Sequence, residues 1–113
     1  MRNWMIACAS GAVLVAGLTA GLNAQDKAKP GNAAKGKEVF DQCSVCHNAD
    51  STETKVGPGL KGLFKMDKLV NGKPVTEATV RDLINTGGNG MPAYSDQLSE
   101  QDKNDVIAYL KTL

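Results

Sequence analysis

Five consecutive residues, Cys43-Ser44-Val45-Cys46-His47, constrain this chain more than any other feature. Cysteines three apart fall on one helical turn, where each thiol can form a thioether with one of two neighbouring vinyl groups of a porphyrin. A histidine at the next position lies beneath a macrocycle held in this way, so a ring nitrogen can ligate the iron from one face. This is the attachment signature of c-type haem. Other readings of the same residues compete with it. A structural zinc site takes four Cys or His ligands, typically in two pairs, whereas the chain has one histidine and its third cysteine, Cys8, sits in the N-terminal leader. A thioredoxin-like dithiol stands beside a βαβ pattern, and no run of buried strands is legible. A disulfide across so short a loop leaves His47 without a role. Covalent haem is the reading that uses both thiols and the imidazole.

With 113 residues, 22% of them charged and only 4% aromatic, the chain is one small soluble domain plus its ends. A domain of this size buries a limited fraction of its surface and usually needs something to supplement the core. A covalently held porphyrin is such a supplement, because short helices can pack around a large flat apolar disc. The formal net charge of +1 argues against a nucleic-acid partner, since such surfaces are strongly basic.

Met1-Arg2-Asn3 is a short positive start, residues 4–22 are mostly apolar, and Asn23-Ala24-Gln25-Asp26 turns polar after a small residue. That is the shape of a secretory signal, and it implies a periplasmic protein. Cleavage after Ala24 fits the onset of polarity, and cleavage after Gly21 has small residues at both key positions. The alternative is an uncleaved membrane anchor, since roughly nineteen residues just span a bilayer, although Gly11, Gly17 and Gly21 dilute the run. The chain therefore divides into a signal peptide or anchor at 1–24, a flexible linker at 25–32, and a folded domain at 33–113. Without Arg2 the basic and acidic residues balance. Residues 25–75 hold nine lysines against six acids and residues 76–113 three basic residues against six acids, a dipole that can orient an encounter or simply a set of solvated faces.

Within the domain, Asn32 is placed to cap a helix over 33–42. Gly36 in its middle costs about 1 kcal/mol relative to alanine, which points to close packing on the face it shares with Phe40. Residues 48–56 read as a surface loop. From Gly57 to Phe64, turn formers alternate with apolar residues, so the backbone can run close to a flat ligand while Leu60, Leu63 and Phe64 cover it. Residues 68–75 read as a hairpin with Asn71-Gly72 as a two-residue turn and Pro74 keeping one side an edge. Thr76 caps a helix to Asn85, with Val75 and Val80 as a hydrophobic staple and Val80, Leu83 and Ile84 as its buried stripe. A glycine-rich loop, Gly87-Gly88-Asn89-Gly90, then carries Met91. Ser99-Glu100-Gln101-Asp102 starts a closing helix whose apolar side is Val106, Ile107, Tyr109, Leu110 and Leu113.

Gly36-x-x-x-Phe40, Cys43-x-x-Cys46-His47, Gly57-Pro58-Gly59-Leu60, Gly90-Met91-Pro92 and the closing helix with Tyr109, in this order, resemble a class I cytochrome c of the small bacterial type, across about residues 33–113. The resemblance implies an all-α fold of three to four short helices around one covalently attached haem, with a minor β-hairpin near 68–75. It implies that the Pro58 carbonyl takes the proton of the second His47 nitrogen, orienting the ring. It also implies that the Met91 thioether ligates iron opposite His47, a pairing that raises the reduction potential. Met66, the competing methionine, lies between Lys65 and Asp67 and reads as partly exposed packing. The last helix is expected to cross the first, with Gly36 and Phe40 against Tyr109 and Leu110. The haem-binding set is then Cys43, Cys46, His47, Pro58, Leu60, Phe64 and Met91.

With both axial positions filled, iron has no open site for a substrate, and no acid-base pair or nucleophile accompanies it. The implied function is electron transfer rather than catalysis: a monomer carrying one electron between membrane or periplasmic redox partners, in brief encounters over a small interface. The alternatives are a haem subunit of a dehydrogenase or oxidase complex, and a peroxidase or gas sensor in which the methionine is labile.

Overall fold

The computed structural model describes residues 29–113. The leader at 1–24 and the first residues of the linker lie outside the described residues. Residues 29–32 form a strap along the last helix. The Lys29 amide donates to Gln101 Oε1 at 2.6 Å, Asn104 Nδ2 donates to the Lys29 carbonyl at 3.0 Å, and the Asn32 amide donates to Asp105 Oδ1 at 2.8 Å.

The strap leads into α1 (Ala33–Phe40), which Asn32 caps by accepting from the Lys35 amide at 3.1 Å. This helix is two residues shorter than its sequence suggested. The Asp41 amide turns back to the Glu38 carbonyl at 3.2 Å, a tighter i→i−3 bond, and hydrogen-bonded turns then carry the chain through Cys46. A single 3-10 turn, Leu63–Lys65, follows the loop after His47. Helix α2 (Glu77–Thr86) starts at a reciprocal cap between Thr76 and Thr79 and stops at Gly87, whose φ of 63° lies in the left-handed region. Helix α3 (Glu100–Leu110) starts at a second reciprocal cap, between Ser99 and Asp102.

Helices α1 and α3 cross at Gly36, which is buried. A Cβ there would stand 1.9 Å from the Asp105 carbonyl oxygen, so the absent side chain lets the two backbones meet. Beside the crossing the Phe40 and Tyr109 rings lie 5.4 Å apart at 56°, within the range of favourable tilted aromatic pairs. Phe40, Val106, Ile107 and Leu110 form the core with Val80 and Ile84 of α2, and Leu63, Leu69 and Leu98 from the connections join them. A Lys111–Glu77 ion pair ties the end of α3 to the start of α2.

The hairpin is present as an isolated antiparallel bridge, Lys68 to Pro74, with a different turn from the one expected. The Leu69 amide donates to the Lys73 carbonyl at 2.8 Å and the Gly72 amide to the Leu69 carbonyl at 2.9 Å. The loop is therefore three residues long, with Gly72 in the left-handed region at φ 80°. Burial of Leu69 accounts for the register: pairing it with Lys73 points its side chain into the core and leaves Val70 70% exposed at the tip.

Helix α3 buries two charged side chains, Lys103 and Asp105. Glu100 at its start is held below the usual carboxylate value, chiefly by a hydrogen bond from Lys103, then by that ammonium's charge and by Arg81. A depressed carboxyl contributes stability above its unfolded value and loses it as pH falls through the folded one. Glu100→Gln is therefore expected to be less stable than the parent at neutral pH, by a small margin because the carboxylate is exposed. The two melting temperatures should converge in acid below the carboxylate range. Parallel lines across the whole pH series would remove Glu100 from the acid response.

Candidate functional site

The turn after α1 delivers both thiols and the imidazole to one place. The Cys43 and Ser44 amides bond to the Phe40 carbonyl at 2.7 and 2.9 Å, and the Cys46 and His47 amides bond to the Cys43 carbonyl at 3.1 and 2.9 Å. Successive bonds of this kind hold residues 43–47 in a helical turn, with Cys43, Cys46 and His47 half-buried. The two thiols are free. Burial, with Cys46 adding to it, pushes the Cys43 thiol above its ordinary value.

His47 Nδ1 lies 2.8 Å from the Pro58 carbonyl oxygen. A carbonyl only accepts, so Nδ1 carries the proton and Nε2 is left with a free lone pair. The backbone that brings Pro58 there is stitched to the turn: the Gly57 amide donates to the Cys46 carbonyl at 2.7 Å, and Lys55 Nζ donates to the Ser44 carbonyl at 3.0 Å. A Cβ on Gly57 would stand 2.5 Å from His47 Cε1 and 2.9 Å from Nδ1, so Gly57 is the floor against which the imidazole edge rests.

Met91 sits on the far limb, in the loop after α2. The Gly88 amide donates to the Met91 carbonyl and the Met91 amide to the Gly88 carbonyl, both at 3.0 Å, which closes the loop into a tight bridge. Gly87 permits it, since a Cβ there would stand 2.3 Å from the Met91 carbonyl oxygen. Cys43, Leu60, Phe64 and Met91 all pack, half-buried, against the same hydrophobic cluster. Met66 is 39% exposed and lies outside that cluster.

Tyr94 and Asn85 have no role assigned by the sequence, and Gly57, which the sequence marks only as part of a turn-rich motif, gains a specific one. Gly57 reads as an ordinary turn glycine until its contact with His47 is seen. Tyr94, fixed by its amide on the Ile84 carbonyl at 2.9 Å, packs half-buried against the hydrophobic cluster that Cys43 and Met91 also touch, and burial holds its phenol above the ordinary value. Asn85 Oδ1, on α2 ahead of the methionine loop, is buried without a hydrogen-bond partner.

These features fit a covalently bound haem: two free thiols, an imidazole with one nitrogen committed and one open, a thioether on the other limb, and a buried amide with capacity to spare. Among the described residues no group of three or more His, Cys, Asp or Glu is placed to hold a metal ion. The fold and this attachment turn define a small all-α domain built to carry c-type haem.

Comparison with known proteins agrees. A family model described as cytochrome c oxidase, cbb3-type, subunit III matches residues 31–110. A cytochrome bc1 complex cytochrome c subunit of Corynebacterium diphtheriae is 32% identical over 94 residues, 81% of this chain but 31% of the relative's own length. A cytochrome c6-like protein of Nostoc is 34% identical over 98 residues, covering 86% of this chain and 79% of that protein. The solved structure of cytochrome c6 from the diatom Phaeodactylum tricornutum superposes with a TM-score of 0.58 at 26% identity, over 73% of this chain and 93% of that one. The chain belongs to the cytochrome c family and is a small class I c-type cytochrome. Its cofactor is covalently attached haem c, and Cys43 and Cys46 supply the thiols such attachment requires.

Proposed function

We propose that this cytochrome is an electron carrier rather than an enzyme, exported to the periplasm by the segment at 1–24 and exchanging single electrons with redox proteins as a monomer. The observation that carries the reading is the 2.8 Å contact between His47 Nδ1 and the Pro58 carbonyl. It dedicates Nε2 to iron and makes the imidazole a stronger donor. Bound haem c supplies one-electron chemistry at iron. Cys43 and Cys46 would hold it as thioethers, Leu60 and Phe64 would cover it and exclude water, and His47 and Met91 would supply a nitrogen and a thioether to the iron. A closed iron of this kind favours electron exchange over bond chemistry, and the soft sulfur donor favours the reduced state.

The purified oxidised protein tests this. A weak far-red sulfur-to-iron charge-transfer band, with little carbon monoxide binding after reduction, is the expected result. A missing band with rapid and complete carbon monoxide binding would replace the carrier with an open-site peroxidase or sensor. A separate expectation concerns attachment. Cys46→Ala should hold haem through at most one thioether, read from the mass of the denatured chain and the shifted reduced spectrum.

A second reading is favoured by the family model's description and by the relative from the bc1 complex, of which this chain covers 31%. In it the domain is the haem-carrying part of a respiratory assembly. Co-purification with a large membrane partner from mild detergent distinguishes this from a free carrier.

A further inference from the structure

Lysine is among the residues least often buried, yet Lys103 on α3 has a side chain only 3% exposed. An apolar residue at this site would fill the same space without the cost of stripping water from an ammonium. What the ammonium does is visible in its two contacts. It pairs with Glu100 Oε1 at 2.9 Å, and it donates to the Ser95 carbonyl at 3.3 Å. Ser95 lies four residues beyond Met91, on the returning limb of the same loop. Glu100 is itself gripped from the other side by Arg81 of α2, at 3.1 Å.

We propose that Lys103 is a positioning residue for Met91: it clamps the returning limb of the methionine loop to α3 and so keeps the thioether at the iron. The proposal rests on Met91 being the ligand. The loop has two other attachments, the Gly88–Met91 bridge at its start and the bond from the Tyr94 amide to the Ile84 carbonyl. The first closes the loop on itself, and the second ties it to α2. Lys103 ties it to α3 through a charged donor, which is stronger than a neutral one. Removing the ammonium takes away the bond that α3 donates to the Ser95 carbonyl, so the limb loses its tie to that helix and can lift. A lifted limb draws Met91 away from the iron before the helices separate.

The test uses the haem-loaded protein, with Lys103→Met as a neutral side chain of similar length and Lys103→Arg as the charged control. In Lys103→Met the far-red charge-transfer band is expected to bleach on warming well before helical circular dichroism is lost, and reduced carbon monoxide binding to accelerate about tenfold or more, the scale of one lost charged hydrogen bond. Lys103→Arg should restore both towards the parent. A Lys103→Met protein whose band and helices melt together, with parental carbon monoxide binding, overturns the proposal. So does a Lys103→Arg protein no better than the methionine variant, because that pattern reports packing alone.

Hydrogen exchange separates this failure from a failure of the ligand assignment. The Gln97 and Leu98 amides both bond to the Tyr94 carbonyl, and the clamp predicts about tenfold faster exchange there in Lys103→Met. If the parent shows no charge-transfer band, the Met91 assignment falls and the positioning of a ligand falls with it, while faster exchange still identifies Lys103 as the clamp on the loop. Unchanged exchange beside a normal parental band removes the clamp and leaves Met91 standing.

Discussion

Met91→Ala is expected to keep its haem and to lower its reduction potential by on the order of 0.1–0.2 V, a fraction of the roughly 0.8 V range that axial ligands span. The two halves of that result come from different parts of the chain. Attachment depends on Cys43 and Cys46, in the turn that follows α1. On the proposed ligation by His47 and Met91, the potential depends on the second of these ligands. A thioether stabilises ferrous over ferric iron, and water or an empty position does so less. The same variant should bind carbon monoxide rapidly once reduced. Met66→Ala is the control: Met66 is 39% exposed and outside the core, so its removal should leave the potential unchanged. Potentiometric titration of the three proteins decides the matter, and a parental potential in Met91→Ala would take Met91 out of the site.

The parts of this molecule that were legible in the sequence are those written in residue type and spacing. Asn32, Thr76 and Ser99 cap the helices as their chemistry suggests, and the structure places Pro58 on His47 as the family pattern implied. What was not legible is written in contacts between distant segments. Nothing about Lys103 or Asp105 in sequence says that they are buried, and in helix α3 they interrupt the apolar face that Val106, Ile107 and Leu110 define. Their burial becomes intelligible only beside their partners, Asn32 in the strap for Asp105 and Ser95 in the methionine loop for Lys103. The hairpin turn failed for a related reason. Asn71-Gly72 satisfies the local rule for a two-residue turn, but the core claims Leu69, and that burial moves the register by one residue. The end of α1 differed because hydrogen bonding passes gradually from helix to turns on the way to Cys43.

Gly36→Val should produce the largest loss of stability of any single change at the helix crossing, about 3 kcal/mol or more. The reason is the nature of the obstacle. The first added atom would stand 1.9 Å from the Asp105 carbonyl oxygen and 2.8 Å from Tyr109 Cβ. Neither is the end of a flexible side chain that can swing aside, so α1 and α3 must separate. Separation also strains what depends on their distance: the Asn32 amide on Asp105 Oδ1 and the tilted contact between Phe40 and Tyr109. Gly72→Ala provides the contrast. Its φ of 80° makes alanine unfavourable, but nothing stands within 4 Å, so the cost is backbone strain alone, about 1 kcal/mol. Denaturant titration of the haem-loaded proteins should rank them parent, Gly72→Ala, Gly36→Val. Because a small domain has only about 5–15 kcal/mol in hand, the valine variant should also shed protection at the α1–α3 interface under native conditions while its thioethers keep the haem attached. A valine variant within 1 kcal/mol of the parent would mean that the crossing relaxes freely, and that the close approach at Gly36 contributes nothing the haem and the remaining core do not already supply.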